Sequence, residues 1–218
     1  MKFLILFFLG FICINYPAFS KSQDLYLSGD SKTGIILCHG GGAHPDWKVV
    51  GYLRRSLNSG NLKAHTISLQ MPIAKGVWTN YIKTFPDAIL KIQEGIAKLK
   101  KANINKIILI GHSMGSRMGS YFLANKKSHG VSLFVGLGMR NNGDEELNVV
   151  TNIRKINIPI LDVYGSGGNK KDFKYGKERK AKKIKALEQK VIEGANHKFE
   201  GHENQLDAEI TAWIESKL

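Results

Sequence analysis

The sequence predicts an α/β fold: a three-layer domain with a mostly parallel central sheet and helices on both faces. Short apolar runs alternate along the chain with segments whose apolar residues recur at helical spacing. Nearly every position in these runs is apolar, which is typical of strands buried on both faces of a parallel sheet. Residues 21–218 are also enough for one domain with a sizeable core.

The alternation assigns the elements in order. Strands are predicted at residues 24–27, 34–38, 64–69, 107–110, 131–136, 158–164 and 190–192. Helices are predicted at residues 47–58, 86–101 and 114–125, between 170 and 190, and at 204–216. Asp46 is placed to cap the first helix, and Pro86 suits the first turn of the second. The segment 71–84 is irregular, and its Trp78 and Tyr81 either wall an acyl pocket or pack in the core.

The first twenty residues have the features of a secretory signal peptide. Lys2 supplies the positive charge, an apolar run covers 3–14, and Ala18-Phe19-Ser20 resembles a cleavage site. The run is shorter than the roughly 20 residues that span a membrane. We therefore predict cleavage after residue 20 and export of one domain, residues 21–218, to the periplasm or the extracellular space. An uncleaved anchor is the alternative.

The charge distribution is uneven. The formal net charge is +14, and ten lysines and arginines lie from Lys170 to Lys190. A solvated helix face accounts for them, since Ala181, Ile184 and Leu187 recur at helical spacing beneath the charges. The alternative is weak contact with an anionic surface. Nucleic acid is not an expected partner, because neither a binding motif nor interleaved aromatic residues accompany the charges.

The stretch Gly111-His112-Ser113-Met114-Gly115 lies between the apolar run at 107–110 and the helix predicted at 114–125. A G-x-S-x-G sequence between a buried strand and a helix is a nucleophile elbow, which exposes the serine on a tight turn. The two glycines let the strand and helix backbones approach closely. The pattern predicts Ser113 as a nucleophile, provided that the chain also supplies a base, an acid and an oxyanion hole.

The strand that ends at Cys38 leads into the glycine run His39-Gly40-Gly41-Gly42. Backbone amides of such a run can point into a cavity because no side chains obstruct them. We predict that the amides of Gly40 and Gly41, with the amide of Met114, form the oxyanion hole. An ordinary turn is the alternative. Cys38 is interpreted as a small buried hydrophobe rather than a nucleophile.

His197 lies after the last predicted strand and before the last helix. This is the late position that a general base takes in the chain order serine, acid, histidine. His197 is therefore predicted to take the proton of Ser113 and to return it to the leaving group. His202 is the nearest competitor, but it lies closer to the final helix.

These motifs together resemble the α/β-hydrolase superfamily over essentially all of residues 21–218. The matching stretches are Leu37–Gly42, Gly111–Gly115, Ile158–Gly165 and Gly194–His197. The resemblance implies an eight-stranded type of sheet and a Ser-His-acid triad. More narrowly, the stretches 68–72 and 161–165 resemble a group of exported bacterial hydrolases of unassigned function.

The chain departs from the superfamily pattern at the acid. Members usually place it about three residues after the glycine that ends the seventh strand, and that position is Gly168 here. Asp172 is the favoured substitute, if the glycine-rich loop folds over. Asp162, within the apolar strand, is the second choice, and the pair Asp144 and Glu145 is the third.

The sequence thus predicts an exported serine hydrolase, an esterase or thioesterase acting on small or medium acyl substrates. No metal or organic cofactor is expected, because there is neither a clustered ligand set nor a phosphate-binding glycine loop. The alternative is a catalytically impaired protein of hydrolase fold that binds a ligand or an anionic envelope surface.

Overall fold

The computed structural model describes residues 23–141, 143–145, 147–168 and 170–218. The predicted signal peptide lies outside the described residues. Seven strands form one sheet: β1 Leu25–Leu27, β2 Thr33–Cys38, β3 His65–Leu69, β4 Lys106–His112, β5 Leu133–Leu137, β6 Ile160–Gly165 and β7 Leu187–Ile192. The helices are α1 Lys48–Ser59, α2 Phe85–Lys101, α3 Met114–Asn125, α4 Val149–Ile153, α5 Lys171–Ala181 and α6 Glu203–Glu215, with a 3₁₀ helix at Trp78–Thr84.

The sheet has the order β1-β3-β2-β4-β5-β6-β7, and only β1 runs antiparallel to its neighbour. The predicted mostly parallel α/β architecture is therefore confirmed. In the centre, Gly111 at the end of β4 pairs with Cys38 of β2 on one side and with Gly136 of β5 on the other. The carboxyl ends of these strands consequently meet at one edge, where the loops of a parallel sheet bind ligands.

Apolar side chains fill two layers, one on each face of the sheet. Helices α1 and α6 cover one face, with buried residues such as Leu53 and Ile210. Helices α2, α3 and α4 cover the other, with Ile92, Phe122 and Ile153 among theirs. Burial on both faces explains why the strand sequences are continuously apolar.

Two expectations about the elements are wrong, and one helix was not predicted. Asp46 does not cap α1, whose N-cap is Trp47; instead the Asp46 carboxylate pairs with Arg54 and Arg55. The described residues form seven strands rather than the eight that the resemblance implies. Helix α4 was not predicted, because its five residues are too few to show a helical period.

The segment from Lys170 to Lys190 is not one helix. Helix α5 ends at Ala181, the chain turns through Lys183 with a φ of +49°, and β7 begins at Leu187. The helical spacing of Ala181, Ile184 and Leu187 is therefore coincidental. Residues Ile184 and Leu187 pack against the apolar layer from a turn and a strand.

Among the described residues, none of the helices combines the length and the apolar character needed to cross a membrane.

Candidate active site

The elbow at Ser113 has the predicted geometry. Ser113 joins β4 to α3 with a φ of +53°, a conformation that L-residues rarely adopt. Its backbone N–H donates to the carbonyl of Leu137 at 2.9 Å, which ties the turn to the neighbouring strand. A Cβ atom on Gly115 would overlap the carbonyl of Cys38, and one on Gly111 would lie 2.6 Å from the backbone of Ser116. Both glycines are thus required by close backbone packing around the serine.

Ser113, His197 and Asp172 form a continuous chain of hydrogen bonds. The hydroxyl of Ser113 donates to Nε2 of His197 at 3.0 Å, and Nδ1–H of His197 donates to Oδ2 of Asp172 at 2.6 Å. Because a carboxylate can only accept, Asp172 fixes the tautomer in which Nε2 is free to take the proton of the serine. The structure brings together the three residues that the sequence ranked first.

Asp172 reaches His197 because the loop after β6 folds over the loop that carries the histidine. The amide of Gly167 donates to the carbonyl of Ala195 at 3.0 Å. A Cβ on Gly167 would overlap the carbonyl of Gly194, so the two loops touch backbone to backbone only because a glycine is present. The chain then enters α5, and its first turn presents Asp172, which is 2% exposed, to the histidine.

The other candidate acids lie elsewhere. Asp162 is fully buried and receives two hydrogen bonds from Arg179, both at 2.7 Å, and one from Gln189. This bidentate pair joins β6 to α5, so Asp162 holds the helix that carries Asp172. Asp144 and Glu145 are exposed, and the partner of Glu145 is Lys155, at 3.8 Å.

His112, next to Ser113, supports the loop that carries His197. Its Nε2–H donates to the carbonyl of His197 at 2.8 Å, and the two rings lie 5.0 Å apart. Burial, and then the neighbouring His197, lowers the pKa of His112 to about 4. His112 is therefore neutral at physiological pH, and sequence reasoning assigned it no role.

The glycine run after β2 is held by side chains on two sides. The amide of Met71 donates to Nε2 of His39 at 3.0 Å, so Nδ1 of His39 carries the proton and donates to the carbonyl of Gly40 at 2.8 Å. The peptide bond between Gly40 and Gly41 is trans, so the N–H of Gly41 points in the direction opposite to the carbonyl of Gly40. The N–H of Gly41 therefore points away from His39. On the other side, the amide of Gly42 donates to the hydroxyl of Tyr81 at 2.8 Å.

The predicted oxyanion residues surround the serine. Gly40 packs against it, since a Cβ there would lie 3.4 Å from Cβ of Ser113. Gly41 and Met114 line the cavity in front of the serine. As the first residue of α3, Met114 has an amide that no earlier helical turn can satisfy, so it is available to an anion.

The cavity in front of Ser113 has a volume of about 580 Å³. Its walls include Trp78 and Tyr81, so the segment 71–84 walls the pocket, and Tyr81 also packs in an apolar layer. The segment is not irregular throughout, because Trp78–Thr84 forms a 3₁₀ helix. Three cationic residues that sequence reasoning missed also line the cavity, namely Arg117, Arg140 and Lys171. Arg140 follows the carboxyl end of β5, where the edge rule for parallel sheets could have singled it out.

No group of three or more metal-ligating side chains is arranged to hold a metal ion in the part of the chain that the structure describes. Cys38 is fully buried, and burial raises the pKa of its thiol far above the usual range. It is therefore a packing residue, as the sequence indicates.

Comparisons with known proteins agree with the fold. The family model of the alpha/beta hydrolase domain matches residues 31–215. No curated protein matches the chain at a significant level. Among solved structures, Est1E from Butyrivibrio proteoclasticus with bound ferulic acid is 14% identical, with a TM-score of 0.67 over 89% of this chain and 94% of that one.

Two further structures show the same likeness. A lipase-esterase related protein from Clostridium acetobutylicum is 16% identical, with a TM-score of 0.69 over 88% of this chain and 98% of that one. XC6422 from Xanthomonas campestris, a serine hydrolase without a lid, is 14% identical, with a TM-score of 0.68 over 91% and 96%. Identities this low show a shared fold. With the family match over residues 31–215, the chain belongs to the alpha/beta hydrolase family.

Proposed function

We propose that this hydrolase is a serine esterase or thioesterase that works through an acyl-enzyme on Ser113. The observation that carries the proposal is the unbroken hydrogen-bonded chain from Ser113 through His197 to Asp172. The lipase-esterase related protein among the structures of the same fold supports the choice of ester substrates. A cavity of about 580 Å³ suits small or medium acyl groups.

In the proposed reaction, Oγ of Ser113 attacks the carbonyl carbon while Nε2 of His197 takes the serine proton. The amides of Gly40, Gly41 and Met114 stabilise the negative charge that develops on the carbonyl oxygen. The C–O or C–S bond then breaks, and the alcohol or thiol leaves with the proton from His197. A water molecule hydrolyses the acyl-enzyme by the same steps, which releases the acid and restores the serine.

The alternative of a catalytically impaired protein rested on the absence of an acid at Gly168. That reason loses its weight, because Asp172 contacts His197 from the start of α5. The alternative nevertheless makes a different prediction, so one experiment separates the two.

The test is labelling with a fluorophosphonate probe, which reacts with activated serines. The wild type is expected to label and Ser113→Ala is not, while Ser128→Ala, a change at an exposed serine far from the site, labels like the wild type. Turnover of p-nitrophenyl butyrate is expected to follow the same order. Absent labelling of a folded wild type, or equal labelling of Ser113→Ala, would overturn the proposal.

We further propose that the protein is exported after cleavage following residue 20, on the strength of the signal-like sequence at residues 1–20. Cell fractionation and N-terminal sequencing of the mature protein test this. We expect Lys21 as the first residue of an envelope or secreted form. A retained Met1 in the cytoplasmic fraction would contradict it.

A further inference from the structure

The two oxygens of the buried Asp172 carboxylate face different partners. Oδ2 accepts the hydrogen bond of His197 at 2.6 Å, and Oδ1 lies 3.5 Å from Nε of Arg140. Oδ1 is shielded from water and receives no hydrogen bond from the part of the chain that the structure describes. A buried charged oxygen in this state is costly unless an opposite charge compensates it. The guanidinium of Arg140 supplies that opposite charge.

Arg140 directs the inner nitrogen of its guanidinium towards Asp172. The side chain is 27% exposed and lines the cavity in front of Ser113, but its Nε atom is buried. Within the described ranges Nε has no hydrogen-bond partner either. A separation of 3.5 Å is longer than an ordinary N–H···O hydrogen bond, which ends at about 3.2 Å. The contact is therefore an attraction between charges, and it acts on the oxygen that His197 leaves free.

The residues on either side of Arg140 are fixed to α5, the helix that carries Asp172. Nη1 of the buried Arg179, on the same helix, donates to the carbonyl of Met139 at 2.8 Å and to Oδ1 of Asn141 at 2.9 Å. The side-chain amide of Asn141 also donates to a backbone carbonyl of α5 at 3.0 Å. The loop after β5 and the helix are thus already joined, so little further ordering is needed for the ion pair between them.

The ion pair affects how the carboxylate can rotate. Partners at both oxygens define the plane of a carboxylate, whereas a single partner leaves it free to turn about its bond to Cβ, a torsion with broad preferences. His197 depends on this plane, because the bond from its Nδ1 to Asp172 orients the ring so that Nε2 meets Ser113. A misplacement of about 1 Å in such a constellation can cost about 100-fold in rate.

We propose that Arg140 is a positioning residue for the hydrolytic reaction. Its ion pair with Oδ1 of Asp172 holds the carboxylate in the plane in which Oδ2 accepts the hydrogen bond of His197. Arg140 acts through Asp172 and does not have to touch the substrate. The inference rests on the proposed function, because it assigns a further residue to the same site.

The test is a double-mutant cycle between Arg140 and Asp172, with p-nitrophenyl butyrate as the substrate and kcat/KM as the measured quantity. With Asp172 in place, we expect Arg140→Gln to lower kcat/KM by about 10- to 100-fold. In the Asp172→Asn background there is no carboxylate to hold, and we expect the same change to have less than about a threefold effect. Arg140→Lys keeps a positive charge near Oδ1 and should lose less activity than Arg140→Gln.

Arg154→Gln is the matched control. Arg154 is an exposed arginine between α4 and β6, at the opposite end of the strands from Ser113, and its replacement should leave kcat/KM unchanged. Urea denaturation of each variant shows whether it is folded. Arg140→Lys is also measured in both backgrounds, so that the comparison stands if Arg140→Gln does not fold.

A loss that is confined to the background with Asp172 supports the proposal. Equal losses in the two backgrounds would show that Arg140 does not act through Asp172, and they would overturn it, as would an unchanged kcat/KM in Arg140→Gln. Either of these results leaves the proposed function intact while the fluorophosphonate still labels Ser113 in the wild type. If Ser113 is not labelled and the wild type does not cleave the ester, the proposed function fails and the role of Arg140 with it.

Discussion

A Cβ atom on Gly138 would lie 2.8 Å from Nδ1 of His197 and 3.6 Å from Oδ2 of Asp172. The glycine that follows β5 thus leaves open the space in which the histidine and the carboxylate meet. Its φ of +57° also favours glycine. Both the backbone conformation and the lack of space for a side chain therefore require glycine at this position.

We expect Gly138→Ala to lower kcat by about 10- to 100-fold, because the methyl group displaces the imidazole from its partners. The control is Gly201→Ala, where φ is +77° and an added Cβ meets nothing within 4 Å. Gly201→Ala strains the backbone in the same way, but its methyl group contacts no other residue. Equal losses of kcat in the two variants would contradict the steric explanation.

Asp172 and Asp162 are expected to respond differently to the same substitution. Asp172→Asn removes the charge that orients His197, and we expect kcat to fall by about 10³- to 10⁴-fold with little change in stability. Asp162→Asn leaves the buried Arg179 without a charged partner, and we expect a loss of about 3–5 kcal/mol in the free energy of unfolding. Steady-state kinetics and urea denaturation measure the two effects. A larger loss of kcat in folded Asp162→Asn would transfer the role of the acid to Asp162.

The strained conformation of Ser113 predicts a stabilising substitution. With a φ of +53° and a ψ of −111°, the serine occupies backbone space that glycine enters at little cost. We expect Ser113→Gly to be about 1 kcal/mol more stable than Ser113→Ala, both being inactive. Thermal unfolding of the pair checks this. Equal melting temperatures would mean that the elbow stores no strain at this residue.

The stability of the fold should depend on pH through His112. Its pKa of about 4 in the folded protein lies below the ordinary 6.5 expected for the unfolded chain. As the pH falls from 6.5 to 4, the unfolded chain gains a proton here that the folded chain resists, so the free energy of unfolding decreases, by up to about 3 kcal/mol. Burial also lowers the pKa of His39, which contributes in the same direction.

Urea denaturation at several pH values measures this effect. We expect His112→Gln to flatten the decrease, since an amide at this position does not titrate. His44→Gln, at an exposed histidine, is the matched control and should keep the slope of the wild type. An unchanged slope in His112→Gln would show that another group is responsible.

The order of strands and helices could be predicted from the sequence because the pattern is strongly periodic. Residues 114–125 were predicted as a helix and form α3 without a shift of either end. The segment after Lys170 could not be predicted in the same way. A spacing of three residues between Ala181, Ile184 and Leu187 fits a helix, but it equally fits a helix end, a turn and a strand that pack on one layer.

The site residues that a local sequence motif specifies could be predicted from the sequence. Ser113 and His197 follow from motif and chain order, and the choice of Asp172 over Asp162 depends on how the loop after β6 folds. The conformation of this loop depends on backbone contacts of glycines, and such contacts cannot be recognised from the periodicity of apolar residues. The convergence of Arg117, Arg140 and Lys171 is likewise tertiary, because 54 residues separate the first from the last in the chain.

The carboxylate that contacts His197, that of Asp172, lies on helix α5 rather than at the end of β6. Insertions and deletions in the loop between them can therefore change the alignment column of the acid while the carboxylate stays in place. A homologous sequence with glycine in the usual column should not be classed as a pseudoenzyme on that ground. A search that requires the acid at one fixed position of a sequence alignment would reject proteins whose folded chains contain all three residues of the triad.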